Sequence, residues 1–192
     1  MEASDFLLSI IKASGGVVHG RTLMQKRCYF VAVLLHMEEE FGFQAHYYGP
    51  YSAALDSALS QLVGVGFVEE SRIGFGASDS SGFEIRRHDY KLTPDGEVVA
   101  DLLESADPSS YGQTSGAVQK LREAGEPTYF ELSIAAKAFY IIRNQKRPVT
   151  REEISREAEG FGWNIEPQAL GRAIEFLEKI PLVEARKRHT PG

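Results

Sequence analysis

A mainly α protein with a small β wing is the fold class predicted by this 192-residue sequence. Three observations carry the prediction. Two runs with apolar residues at helical spacing, 23–41 and 53–65, are joined by the turn Tyr47-Tyr48-Gly49-Pro50-Tyr51-Ser52. Two β-rich runs follow, separated by the small-residue stretch 76–82. A further set of helical runs lies between 130 and 180. Helix, turn, helix and hairpin read as a winged helix-turn-helix. The later helices read as a helical, degenerate second winged-helix-like module.

The first helix is expected over 5–13, with Phe6, Leu7, Ile10 and Ile11 as its apolar face. Ser4 or Asp5 is the expected cap, and Gly15-Gly16 the end. The second helix is expected over 23–41. Thr22 with Gln25 three residues later reads as a capping box, in which each side chain satisfies a backbone N–H at the helix start. Leu23, Met24, Cys28, Val31, Leu34 and Leu35 form its inner stripe. Cys28 is the only cysteine, so no intramolecular disulfide forms, and its place in that stripe makes it a buried core residue. Glu38-Glu39-Glu40 falls at the expected helix end, where the macrodipole disfavours negative charge. A solvated face is the ordinary reading; an acidic docking surface is the sharper one.

Ser52 is a good N-cap for the third helix, 53–65, whose Leu55, Leu59, Leu62 and Val63 share one face. Residues 67–75 and 83–92 read as the two strands of the wing. Thr93-Pro94 opens a helix to about 105, with Thr as N-cap and Pro in the first turn. The domain boundaries follow: a winged-helix domain over 1–106, a linker over 107–129 with a polar helix near 115–123, and the C-terminal module over 130–192. In the last, helices are expected over 132–144, 151–159 and 167–179, the second opened by the capping box Thr150-Arg151-Glu152-Glu153. Leu182-Val183-Glu184 reads as a short strand.

Composition narrows the function. A hydrophobic content of 43% supports a real core, and the net charge is −6. Each half of the chain carries −3, so there is no basic arm. No 18-residue apolar run is present, so no membrane helix is expected. The acidic start Met1-Glu2-Ala3-Ser4-Asp5 lacks a signal-peptide n-region, and a cytoplasmic protein is expected.

A DNA reader needs Arg, Lys, Asn or Gln on its recognition helix. Residues 52–65 contain no Lys or Arg and do contain Asp56, a face that cannot neutralise phosphates. Any nucleic-acid contact falls to the wing residues Arg72, Arg86, Arg87 and Lys91. Glu69, Glu70, Glu84 and Asp89 lie among them, and cross-strand charge pairing is the ordinary reading. Residues 143–147 and the tail Arg186-Lys187-Arg188-His189 are the other basic patches. His36 and Glu40 make an i, i+4 metal half-site with no second pair, so no metal is expected, and no other cofactor. There is no Gly-x-Gly-x-x-Gly, P-loop or nucleophile elbow, and no enzyme is expected.

The aromatic residues carry the partner reading. Tyr29 or Phe30, and Phe41, are expected to pack between helices one to three. A turn with Tyr47, Tyr48 and Tyr51 cannot bury all three hydroxyls cheaply, and tyrosine suits interfaces. Tyr48 is expected to be the buried one. Tyr47, Tyr51 and Arg21 are the candidate partner-binding residues. Arg21 opposes the dipole at a helix start, which implies an acidic acceptor within the fold or on a partner. The plainer alternative is an Arg that ties the turn to the second helix.

Gly20-Arg21-Thr22-Leu23-Met24-Gln25-Lys26, the run Tyr48-Gly49-Pro50-Tyr51-Ser52 and Leu59-x-x-Leu62-x-x-x-Gly66-Phe67-Val68 together resemble the YwgA-like bacterial and archaeal proteins. More distantly they resemble the Panacea-type domain of SocA-like antitoxins. Tyr90-x-Leu92-Thr93-x-x-Gly96 is similar to the wing-closing motif of MarR- and PadR-like winged helices. The resemblance spans about residues 5–103. It implies a small cytoplasmic winged-helix protein without enzymatic activity, linked to mobile elements, toxin neutralisation or phage conflict. The function expected is therefore a non-enzymatic interaction or regulatory module acting through protein binding. The alternative is a winged-helix transcription regulator binding DNA as a homodimer.

Overall fold

Helix α1 (Ala3–Ala13) lies at the centre of the N-terminal part, and its run from Phe6 to Ile11 is buried on every side. The computed structural model, which describes residues 1–78, 84–125 and 128–184, explains this all-round burial by packing α1 against elements on several faces. These are α3 (Ala53–Gly64), α4 (Pro94–Ala106), α5 (Pro108–Glu123) and a small sheet. Burying each large apolar side chain contributes about 1.5–3 kcal/mol, so α1 is a strong hydrophobic anchor of this part. Its N-cap is Glu2, without a side-chain bond, and not Ser4 or Asp5.

The sheet is three-stranded and antiparallel: β1 (Val17–His19), β2 (Val68–Ser78) and β3 (Glu84–Leu92), in the order β1-β3-β2. The expected hairpin is thus present, and β1 adds a strand the sequence reading lacks. Three residues are too few to show a period of two. The tip, 79–83, lies outside the described residues. The element order is α1-β1-α2-α3-β2-β3, with α2 spanning Arg21–Leu34.

Helix α2 differs from its prediction at both ends. Gly20, at φ 109°, is the N-cap, and Thr22 lies inside the helix without capping it. The helix stops at Leu34, and His36 takes a left-handed φ of 58°. His36 and Glu40 therefore do not share a helix face, and the half-site is not formed; among the described residues no group of three metal-binding side chains occurs. Glu38 is turned inward to pair with Arg143. Ser52 does cap α3, accepting a bond from the Leu55 N–H at 3.1 Å. Thr93 caps α4 as expected, with Pro94 in the first turn.

Residues 107–123 are not an extended connector. Asp107 caps α5, which begins at Pro108 and not near 115, and Thr114, Ala117, Val118 and Leu121 are buried. Residues 126–127 lie outside the described residues. The C-terminal part is α6 (Tyr129–Gln145), α7 (Arg151–Gly160) and α8 (Pro167–Lys179). Thr150 forms its capping box with Glu153, and a second box, Thr128 with Glu131, opens α6. Leu182-Val183-Glu184 forms no strand. Helix α6 packs on α2, α7 and α8, and the buried apolar residues of both parts join in one cluster. No described helix is long and apolar enough to cross a membrane.

Candidate functional site: a tyrosine turn held from below

The segment between α2 and α3 closes as a short hairpin. Gln44 and Tyr51 exchange both backbone bonds at 2.9 Å. At the tip, the Gly49 N–H donates to the His46 carbonyl at 2.8 Å. That i to i+3 bond puts Tyr47 and Tyr48 at the two corners of a four-residue turn. Both are turned outward, 70% and 54% exposed, and their rings meet edge-to-face at 4.8 Å. Tyr48 is thus not the buried tyrosine of the set. Gly49, at φ 98°, is required twice over: the conformation disfavours a side chain, and a Cβ would meet Lys137 Cγ at 3.0 Å.

Side chains distant in sequence fix the backbone of this turn. The indole N–H of Trp163 donates to the His46 carbonyl at 2.7 Å, and the Ser133 hydroxyl to the Tyr48 carbonyl at 2.6 Å. Lys26 Nζ donates to the Pro50 carbonyl at 2.5 Å. Gln25 pairs with the Ser52 backbone, donating to its carbonyl at 3.1 Å and accepting from its N–H at 3.0 Å. The Ser52 hydroxyl donates to the Phe41 carbonyl at 2.6 Å. The turn is therefore an exposed pair of rings on a backbone held by α2, α6 and the α7–α8 loop.

Beneath the turn lie two lysines. Lys26 is 2% exposed and Lys137 is 9% exposed. The Lys137 ammonium stands over the Trp163 ring, 5.6 Å from its centroid. Among the described residues neither lysine pairs with a carboxylate. Burial, with the Lys137 charge adding to it, pulls Lys26 down to about 7. Burial also lowers Lys137. The buried Trp163 stacks on Phe161 at 4.7 Å and meets Tyr140 edge-on at 6.0 Å.

Arg21 and Tyr51 come together at a third residue, Asp56 on α3. Arg21 grips that carboxylate with two bonds, Nε to Oδ1 at 2.8 Å and Nη2 to Oδ2 at 2.9 Å. The acidic acceptor is thus inside the fold, and it ties α2 to α3. Burial and then the bond to Asp56 raise the Tyr51 hydroxyl pKa. Tyr51 also packs against His46, ring centroids 5.0 Å apart. Tyr47 packs instead on Tyr48.

Of the candidate nucleic-acid contacts on the hairpin, Arg87 is engaged by a neighbouring acid. Arg87 holds Asp89 at 2.7 Å, along its own strand and not across it, and His19 holds the same carboxylate at 2.8 Å. Against the cost of burial, those two contacts lower the Asp89 pKa. Glu70 accepts from the Tyr90 hydroxyl at 2.7 Å and contacts His88 at 3.0 Å, and the Tyr90 bond is the first cause of its lowered pKa. Arg72 stands opposite His88, and Lys91 opposite Glu69. The side chain of Arg86 and the tail 186–189 lie outside the described residues. In the 143–147 patch, Arg143 pairs with Glu38 and Arg147 with Glu153.

Lys26, Ser133, Lys137 and Trp163 were not read from the sequence as parts of the site. One signal was present: Lys137 interrupts the otherwise apolar run Ile134-Ala135-Ala136 to Ala138-Phe139. No protein-family model matches the chain, and comparison with curated proteins gives no match.

Proposed function

We propose that this chain is a cytoplasmic winged-helix interaction module that binds a protein partner through its tyrosine turn. The observation that carries the reading is the pairing of two exposed rings with a rigidly anchored backbone. Exposed aromatics on a fixed scaffold lose little conformational entropy on binding, which is how preorganised surfaces gain affinity. The α1-β1-α2-α3-β2-β3 order and the β1-β3-β2 sheet support the winged-helix part of the reading. The sequence resemblance to YwgA-like and SocA-like proteins supports a role in toxin neutralisation or phage conflict.

Binding DNA as a homodimer is the second reading, and the charge distribution disfavours it. Helix α3 contributes no cation, and Arg21 beside it is engaged by Asp56. Without phosphate neutralisation even non-specific affinity is small. Two measurements test the choice. Anisotropy titration on random duplex at physiological salt is expected to show weak binding. Affinity capture from the source cell, quantified for the wild type against the Tyr47→Ser/Tyr48→Ser double variant, is expected to lose a protein partner at unchanged Tm. Sub-micromolar, steeply salt-dependent DNA binding would overturn the proposal.

A further inference from the structure

The lysine pair under the turn points to the chemistry of the partner. A buried ammonium without a counter-charge is costly, and natural interiors pair such groups. Here two lie together, one on α2 and one on α6, and both line the underside of Gly49. Among the described residues Lys26 gives one bond to the Pro50 carbonyl, while the Lys137 ammonium stands over the Trp163 ring and keeps access to solvent. A leucine or methionine would fill the Lys26 position without the electrostatic cost.

Resting on the reading above, we propose that the tyrosine turn receives an acidic segment of a protein partner, with one carboxylate seated against the Lys137 ammonium beside Trp163. The location fits. Lys137 follows Ser133 by one helical turn, and Ser133 holds the Tyr48 carbonyl. Phe161, partly exposed and stacked on Trp163, borders the same place. The exposed rings of Tyr47, Tyr48 and Phe161 are apolar surface for the flanking residues, so the matching segment carries apolar residues next to its Asp or Glu. A partner carboxylate also reverses the burial effect that lowers both lysines, since an opposite charge favours the ammonium form. A nucleic acid fits less well. It needs a row of cations to neutralise successive phosphates, and the turn offers two lysines.

The test is selection of short peptides from a random displayed library on the full chain. The expected pool is enriched in Asp or Glu beside apolar residues. Its best member should lose about tenfold or more in affinity on Lys137→Met, keep most of it on Lys137→Arg, and weaken with rising salt. Replacing the peptide's own Glu by Gln reads the same contact with the protein unchanged, so a poorly folding variant does not end the test. A pool without acidic enrichment, or affinity indifferent to Lys137→Met and to the peptide's Glu→Gln, overturns the inference. Displacement by inorganic phosphate irrespective of peptide sequence would mean a simple anion site and also overturns it. Peptides that need Tyr47 and Tyr48 but ignore Lys137 would remove this inference and leave the interaction reading standing. Failure to select any peptide dependent on the two tyrosines would remove both.

Discussion

Ser52 and Lys26 hold the turn at the scale of single residues. Ser52 caps α3 and donates to the Phe41 carbonyl from a fully buried position. Ser52→Ala should cost about 2 kcal/mol, combining a lost cap with an unsatisfied buried carbonyl. Thr22→Ala should change stability by about 0.5 kcal/mol or less, because Gly20 takes the cap position. Chemical denaturation of both variants checks the contrast. Lys26 gives a pH signature. Its folded pKa of about 7 lies below the unfolded value of 10.5. The unfolded chain therefore binds more protons above pH 7, and stability rises with pH there. Between pH 7 and 9 this group alone should add about 2 kcal/mol. Above pH 9 the rise is opposed by Cys28, pushed up by burial to about 12, because the unfolded thiol ionises first. Denaturation at pH 7 and pH 9 should show the gain in the wild type and a flatter profile in Lys26→Met. Ser52 was legible because its partner is local. Gln25 was not: its spacing from Thr22 matches a capping box, yet it bonds the Ser52 backbone across 27 residues. Local patterns cannot register such a bond.

At the scale of elements, the β2–β3 hairpin closes on α4 through a glycine. Thr93 donates to the Gly66 carbonyl at 2.7 Å and caps α4 by accepting from the Gly96 N–H at 3.1 Å. A Cβ on Gly96 would fall 1.9 Å from the Phe67 carbonyl oxygen, which is backbone and cannot swing aside. Gly96→Ala should therefore cost about 3 kcal/mol. Gly116→Ala on α5 meets open space and should stabilise by up to about 1 kcal/mol. Urea midpoints for the pair check both signs. The Thr93-to-Gly96 motif was readable from sequence because cap, proline and glycine each leave a local mark. The end of α2 was not, because Leu35-His36 carries no Gly or Pro and the chain turns only through His36 at φ 58°. Strand β1 is too short to signal itself, and it exists because β3 offers it a partner edge.

At the scale of the whole molecule, α2 bridges the two parts by packing on both α5 and α6. The expected fold class holds at the coarse level, as eight described helices and a small antiparallel sheet. Division into two modules with 107–129 between them is a question of independent folding. Helix α5 buries Ala117, Val118 and Leu121, so limited proteolysis should spare 108–123, as burial protects backbone. A first cut within that stretch would show two semi-independent modules. The site was half legible for a related reason. The tyrosines and glycine of the turn stand together in sequence, whereas Ser133 and Trp163 reach it from 85 and 117 residues away.

Partner binding is proposed to run through the tyrosine turn and not through the α3 face. Site-specific photocrosslinking in the source cell tests it most directly, with the crosslinker placed at Tyr47 in one variant and at Ser60 on α3 in another. The expected result is a crosslink from position 47 to a protein chain and none from position 60 to DNA. Crosslinks from position 60 to DNA, with none from position 47 to protein, would contradict the account.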